Sequence, residues 1–124
     1  MDRHRFEQLV TRVVESLPEE FLGKLLNVDV VVEERPSSLQ LRRARAGRGQ
    51  TLLGLYEGVP QTKRGRHYNL VLPDKITIFR QPIEARCHNE EEVGAEIERV
   101  LKHEIAHHFG IGDARLRQIE EGQD

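Results

Sequence analysis

The stretch that most restricts the fold is "NEEEVGAEIERVLKHEIAHHFG", residues 89–110. Val93, Ile97, Val100, Leu101 and Ile105 recur at steps of three and four, as on a helix with one buried face. Asn89 is a preferred cap, and Glu92 three positions on completes a capping-box pattern. Glu90, Glu91 and Glu92 suit the positive end of the helix dipole. Gly110 is placed to end the helix in the left-handed conformation. In a chain of 124 residues, which fits one ordinary domain over residues 1–124, this segment is the natural organiser of the core.

The remaining elements are shorter. Phe6, Leu9, Val10, Val13, Val14 and Leu17 predict an amphipathic helix over residues 3–17, which Pro18 stops. "EEFLGKLLN" adds a short helical turn. "VDVVVEE", residues 28–34, is β-branched enough for a buried strand closed by Pro36. Residues 37–50 read as an arginine-rich loop, and "QTKRGRH" as a second basic loop. "TLLGLYEGVP" is a strand carrying Gly54. Residues 75–80 form another strand, with Ile76, Ile78 and Arg80 alternating against Thr77 and Phe79. A short final helix covers about residues 114–121. This order of elements gives an α+β domain with a small mixed sheet against an N-terminal helix and the long helix.

The long helix carries unusual chemistry for a structural element. His103 and His107 are four residues apart, so both imidazoles leave one face a turn apart and can reach one cation. At about 100° per residue, Glu104 falls inside the arc of Val93, Ile97, Val100 and Leu101. Burying a carboxylate without a partner costs several kcal/mol. A cation with an activated water at a cleft edge resolves that cost and makes Glu104 a general base. A catalytic zinc needs a third protein ligand and an open position. Asp113 is the leading candidate, since Gly110 lets the chain turn back. The competing reading is that Asp113 N-caps the last helix, and Glu120 or Glu121 is then the alternative ligand. His108 points about 100° away and reads as a packed, hydrogen-bonded histidine. His4, His67 and His88 read as surface residues, and Cys87 beside His88 is too close in sequence to share an ion.

Composition removes several function classes. The 19 basic and 21 acidic side chains nearly cancel, so there is no global pull toward nucleic acid or an anionic membrane. Arg42, Arg43, Arg45, Arg48, Lys63, Arg64 and Arg66 could form a nucleic-acid patch, but aromatic residues are not interleaved with them. The single cysteine excludes an internal disulfide. No signal peptide or membrane span is visible, which points to a cytoplasmic protein with no membrane partner. The oligomeric state stays open.

"HEIAHHFGIGD" resembles the zincin metallopeptidases, with aspartate in place of the last histidine of the metzincin motif. Over nearly its whole length the chain resembles the small bacterial minimal zincins, in which "LLGLYEGVP", "ITIFRQPIE" and "HEIAHHFGI" occur in this order. The resemblance implies a minimal zincin-like fold and a zinc-dependent metallopeptidase acting on an unidentified peptide or protein. It implies one zinc per chain on His103, His107 and Asp113, with Glu104 as catalytic base, although other divalent metals suit two histidines and a carboxylate. The Met-turn of metzincins is absent, because the only methionine is Met1. Zincins bind peptides along an edge strand, and "LLGLYEG", antiparallel to residues 75–80, is the candidate edge. Tyr56, Tyr68 and Arg80 are unranked candidates for an additional oxyanion donor. The alternatives are a metal-binding structural or interaction module without catalysis, and a nucleic-acid-binding or processing protein.

Overall fold

The computed structural model describes residues 1–44, 52–58 and 72–121, except for the side chains of Asp113 and Glu120. In chain order the elements are α1 (Arg3–Ser16), α2 (Glu19–Lys24), β1 (Val28–Glu33), α3 (Ser38–Arg43), β2 (Gly54–Glu57), β3 (Asp74–Phe79), α4 (Arg80–Ala85), α5 (Glu90–Phe109) and α6 (Asp113–Glu120). The expected α+β class with a small mixed sheet is what forms. β3 lies in the middle, parallel to β1 and antiparallel to β2. No described helix is long and apolar enough to cross a membrane.

The long helix is the organiser that its periodicity predicts. Val93, Ile97, Val100, Leu101 and Ile105 are all buried, against Phe6, Leu9 and Val10 of α1 and Phe21 of α2. Asn89 caps α5 by accepting from the Glu92 amide at 2.9 Å. The return arm of the box lands one residue earlier than expected, with Glu92 accepting from the His88 amide at 3.1 Å. At the other end Gly110 adopts φ 70°, ψ 30°. Its left-handed turn brings the Ile111 amide back to the Ala106 carbonyl at 2.8 Å, a Schellman-type closure.

Two expectations need correction. Residues 37–50 are not all loop, since their first part forms α3. Ser37 Oγ accepts from the Gln40 amide while Gln40 Oε1 accepts from the Ser37 amide, a complete capping box. Gln40 is buried, and its side-chain amide bridges Glu33 and Glu57. The third strand stops at Phe79 instead of running through Arg80. Arg80 opens α4, where Pro82 fits the first turn because the amide it lacks has no intrahelical acceptor. The Arg80 guanidinium is engaged by Glu34 at 2.5 and 2.7 Å and by Glu84 at 2.5 Å. The expected second basic loop and the final residues 122–124 lie outside the described residues, as do Arg45, Arg48, Lys63, Arg64, Arg66, His67 and Tyr68.

One contact sets how closely α5 approaches the sheet. A Cβ on Gly54 would meet Val100 Cγ1 at 2.4 Å and the Thr77 carbonyl oxygen at 3.3 Å. Val100 is held in one rotamer by its β-branch, so it cannot swing clear. Gly54→Ala is therefore expected to destabilise the protein by about 1–3 kcal/mol, the usual range for overpacking. Chemical denaturation checks this, and adding Val100→Ala should recover part of the loss. A single variant as stable as wild type would show that the helix is not pressed against the strand here.

The Arg80 cluster generates a pH prediction. Hydrogen bonding to Arg80, together with its charge, holds the Glu34 carboxyl below the ordinary carboxylate range. A depressed folded-state pKa stabilises above the unfolded value, about 4.3, and that contribution is lost as pH falls through the folded value. Arg80→Met should move the acid-unfolding midpoint to higher pH, followed by circular dichroism. An unmoved midpoint would mean that the half-buried pair is fully screened.

Candidate metal centre

His103, Glu104 and His107 emerge from the same turn of α5 but meet different surroundings. Both histidines are exposed, whereas Glu104 is half-buried against β2. The helical wheel anticipates this split, with the acid inside the apolar arc and the imidazoles on its shoulder. The ring centroids of His103 and His107 are 6.2 Å apart, with an interplanar angle of 71°. With Zn–N near 2.0–2.1 Å, each centroid sits about 3 Å from a shared ion and the two about 5 Å from each other. A modest side-chain rotation closes the difference, so the pair fits one tetrahedral cation.

Glu104 has a partner that the sequence did not suggest. Its Oε1 accepts from the Tyr56 amide of β2 at 2.9 Å. The geometry follows from the close approach at Gly54. From Val100 to Glu104 the helix advances about 6 Å, and from Gly54 to Tyr56 the strand advances about 6.7 Å. A helix pressed on the strand at the first pair therefore brings the carboxylate opposite the amide at the second. Antiparallel pairing alternates inward and outward backbone groups. The Phe79 amide bonds to the Leu53 carbonyl, so Leu53, Leu55 and Glu57 face β3 while Gly54 and Tyr56 face outward. Among the described strands β2 is the sheet edge on this side, as expected for "LLGLYEG".

The Tyr56 side chain is fixed at both ends. Its hydroxyl donates to Asp74 Oδ2 at 2.7 Å, and its ring stacks on His108 with centroids 3.7 Å apart at 12°. His108 is thus an exposed stacking partner and not the packed histidine expected, because Tyr56 projects from the strand face that α5 covers. Phe109 stands edge-on to both rings. The Tyr56 hydroxyl and the Arg80 fork are therefore committed elsewhere, and the outward amide is the strand group that reaches the acid.

A groove follows β2 on both sides of Glu104. On one side is a cavity of about 330 Å³ bordered by Tyr56, His107, His108 and Arg43. On the other is one of about 370 Å³ bordered by His103, Arg86 and Arg99. Leu52, Gly54 and Glu104 border both. Arg43 pairs with Glu57 at 2.9 Å, so it is not a free cation for a nucleic-acid surface.

Asp113 is the first residue of α6, after Gly112 at the N-cap position, and its carboxylate lies outside the described residues, as does that of Glu120. The backbone does not place Asp113 at the cap, the position of the competing reading. Arg115 reaches Glu20 of α2 at 2.6 Å and Ile119 is buried in the core, so α6 is fastened against α2 and the core. Among the described residues no group of three or more His, Cys, Asp or Glu side chains converges on a metal-sized point. His4 and His88 are exposed, and Cys87 is half-buried with its thiol pushed up by burial.

A family model described as zincin-like metallopeptidase matches residues 25–123. A conserved hypothetical protein from Thermus thermophilus shares the fold, with a TM-score of 0.58 and 24% identity over 88% of this chain and 94% of that one. No curated protein matches the chain.

The strand contact is testable without any metal. The Tyr56 amide should be protected from hydrogen exchange, and Glu104→Ala should speed its exchange by about tenfold or more, the worth of one hydrogen bond to a charged group. Glu104→Gln keeps an acceptor and should retain most of the protection. Identical exchange in wild type and Glu104→Ala would mean that the bond does not form in solution.

Proposed function

The chain belongs to the zincin-like metallopeptidase family, and on that premise we propose that it is a zinc-dependent peptidase whose substrate lies along β2. The observation that carries the reading is the single turn of α5 on which two exposed imidazoles face each other across 6.2 Å beside a half-buried carboxylate. His103 and His107 would hold the ion, with Asp113 as the proposed third protein ligand. Zinc bound there supplies Lewis acidity toward a carbonyl oxygen and lowers the pKa of water.

The chain's own groups do the rest. Glu104 has two carboxylate oxygens. Oε1 can keep the Tyr56 amide while Oε2 takes a proton from the attacking water and returns it to the leaving amine. The strand contact then holds the base in one orientation, in place of the rotamer freedom of a surface glutamate. The edge of β2 that borders the groove is where an extended peptide would pair, as in β-strand addition. Leu52 borders the groove on both sides of Glu104 and Val100 borders it on the His103 side, which gives it an apolar floor.

A second reading has an observation of its own. The hydrogen bond from Tyr56 to Glu104 also suits a carboxylate that only seals a strand edge, in a metal-binding module without catalysis. The two readings separate in one variant series. Glu104→Gln should keep stoichiometric zinc and lose about 10²–10⁴-fold in peptide turnover. His103→Ala and His107→Ala should lose the metal, measured by elemental analysis after dialysis. Zinc-replete wild type that cleaves nothing in a mixed peptide library, or Glu104→Gln that cleaves as fast as wild type, would remove the hydrolytic assignment.

A further inference from the structure

Resting on the peptidase reading, we propose that Arg86 and Arg99 form a carboxylate-recognising subsite at the His103 end of the groove. The preferred substrate is accordingly a peptide presenting an acidic group near the bond to be cut. Both arginines border the same cavity as His103 and Glu104. Arg99 lies one helical turn before His103, on the same side of α5. Arg86 enters from a different element, as the residue closing α4.

The cavity is bordered by two arginines against the one carboxylate of Glu104, whose Oε1 already accepts from the Tyr56 amide, and the other carboxylates of this corner are engaged. Glu96 is taken by Arg99, Glu84 by Arg80 and the N-terminal amine, and Glu92 by the His88 amide at the head of α5. Among the described residues the Arg86 guanidinium has no carboxylate or other acceptor, although its exposed position leaves it within reach of the groove. Its backbone is held in place: α4 is anchored by the buried Ile83 and by the Arg80 cluster, and the Arg86 amide bonds to the Ile83 carbonyl at 3.0 Å. Arg86 is the principal donor, since Glu96 already screens part of the Arg99 charge. A planar fork with five N–H donors matches a carboxylate in two parallel hydrogen bonds. The carboxylate can come from a Glu or Asp side chain or from a peptide C-terminus, and the two share this chemistry.

The test uses zinc-loaded Glu104→Gln protein, which holds peptides without cutting them, and fluorescence anisotropy. Four labelled pentapeptides of otherwise equal sequence serve as probes: central Glu, Gln or Lys with an amidated end, and central Gln with a free C-terminus. The Glu peptide should bind at least about tenfold tighter than its Gln counterpart, the worth of one charged hydrogen bond. If the chain end is the source, the free-carboxylate peptide shows that advantage instead. Adding Arg86→Gln and Arg99→Gln should abolish the preference while the neutral peptide binds as before. Arg86→Glu should shift preference toward the Lys peptide, a gain that misfolding cannot produce. Equal binding of all four peptides, or a preference that survives the arginine substitutions, overturns this subsite and leaves the peptidase reading intact. Failure of every peptide to bind overturns both.

Discussion

The architecture depends on the close approach of α5 to β2 where Val100 meets Gly54. Any side chain on Gly54 would hold the helix off the strand, because a Cβ there falls 2.4 Å from Val100 Cγ1. With the helix pressed down, the next turn delivers Glu104 to the outward Tyr56 amide. The imidazoles one residue before it and three after it are left on the exposed shoulder. The glycine contributes nothing chemically, yet it fixes the height at which the acidic and basic groups stand above the sheet edge.

The same packing explains the unequal environments within a single turn. Exposed imidazoles can rotate to share an ion at modest cost, and the 6.2 Å between them leaves room for that. The carboxylate is half-buried and would be expensive there without a donor. The Tyr56 amide is that donor, a backbone group that an edge strand otherwise leaves to water. The cost of burying Glu104, which on sequence grounds calls for a metal, is therefore met in part by the sheet itself. The hydrogen bond restrains the acid without using its second oxygen.

Local signals in the chain were readable wherever one element's own pattern decided the outcome. The stripe from Val93 to Ile105, the Asn89 cap and the Gly110 terminator of α5 follow from periodicity and cap chemistry alone. The S-x-x-Q box at Ser37 is an equally local signal, set in a stretch whose arginines read as loop. The strand end at Phe79 was harder, because Ile76, Ile78 and Arg80 keep their alternation past the point where the chain turns helical. Pro82 and the i,i+4 pair of Arg80 with Glu84 favour the helical turn locally, while the contact of Arg80 with Glu34 is brought about only by the fold.

By itself, then, the sequence determined the α+β class, the long capped helix and the placement of His103 and His107 on one face with Glu104 turned inward. These are consequences of helical spacing, which needs no partner to be true. Only the tertiary structure decided that Glu104 meets the Tyr56 amide, that His108 stacks on the Tyr56 ring and that Arg86 borders the same groove as His103. Each of those contacts joins residues from different elements. Their distance depends on the thickness of the packing between helix and strand, a quantity that no run of neighbouring residues contains.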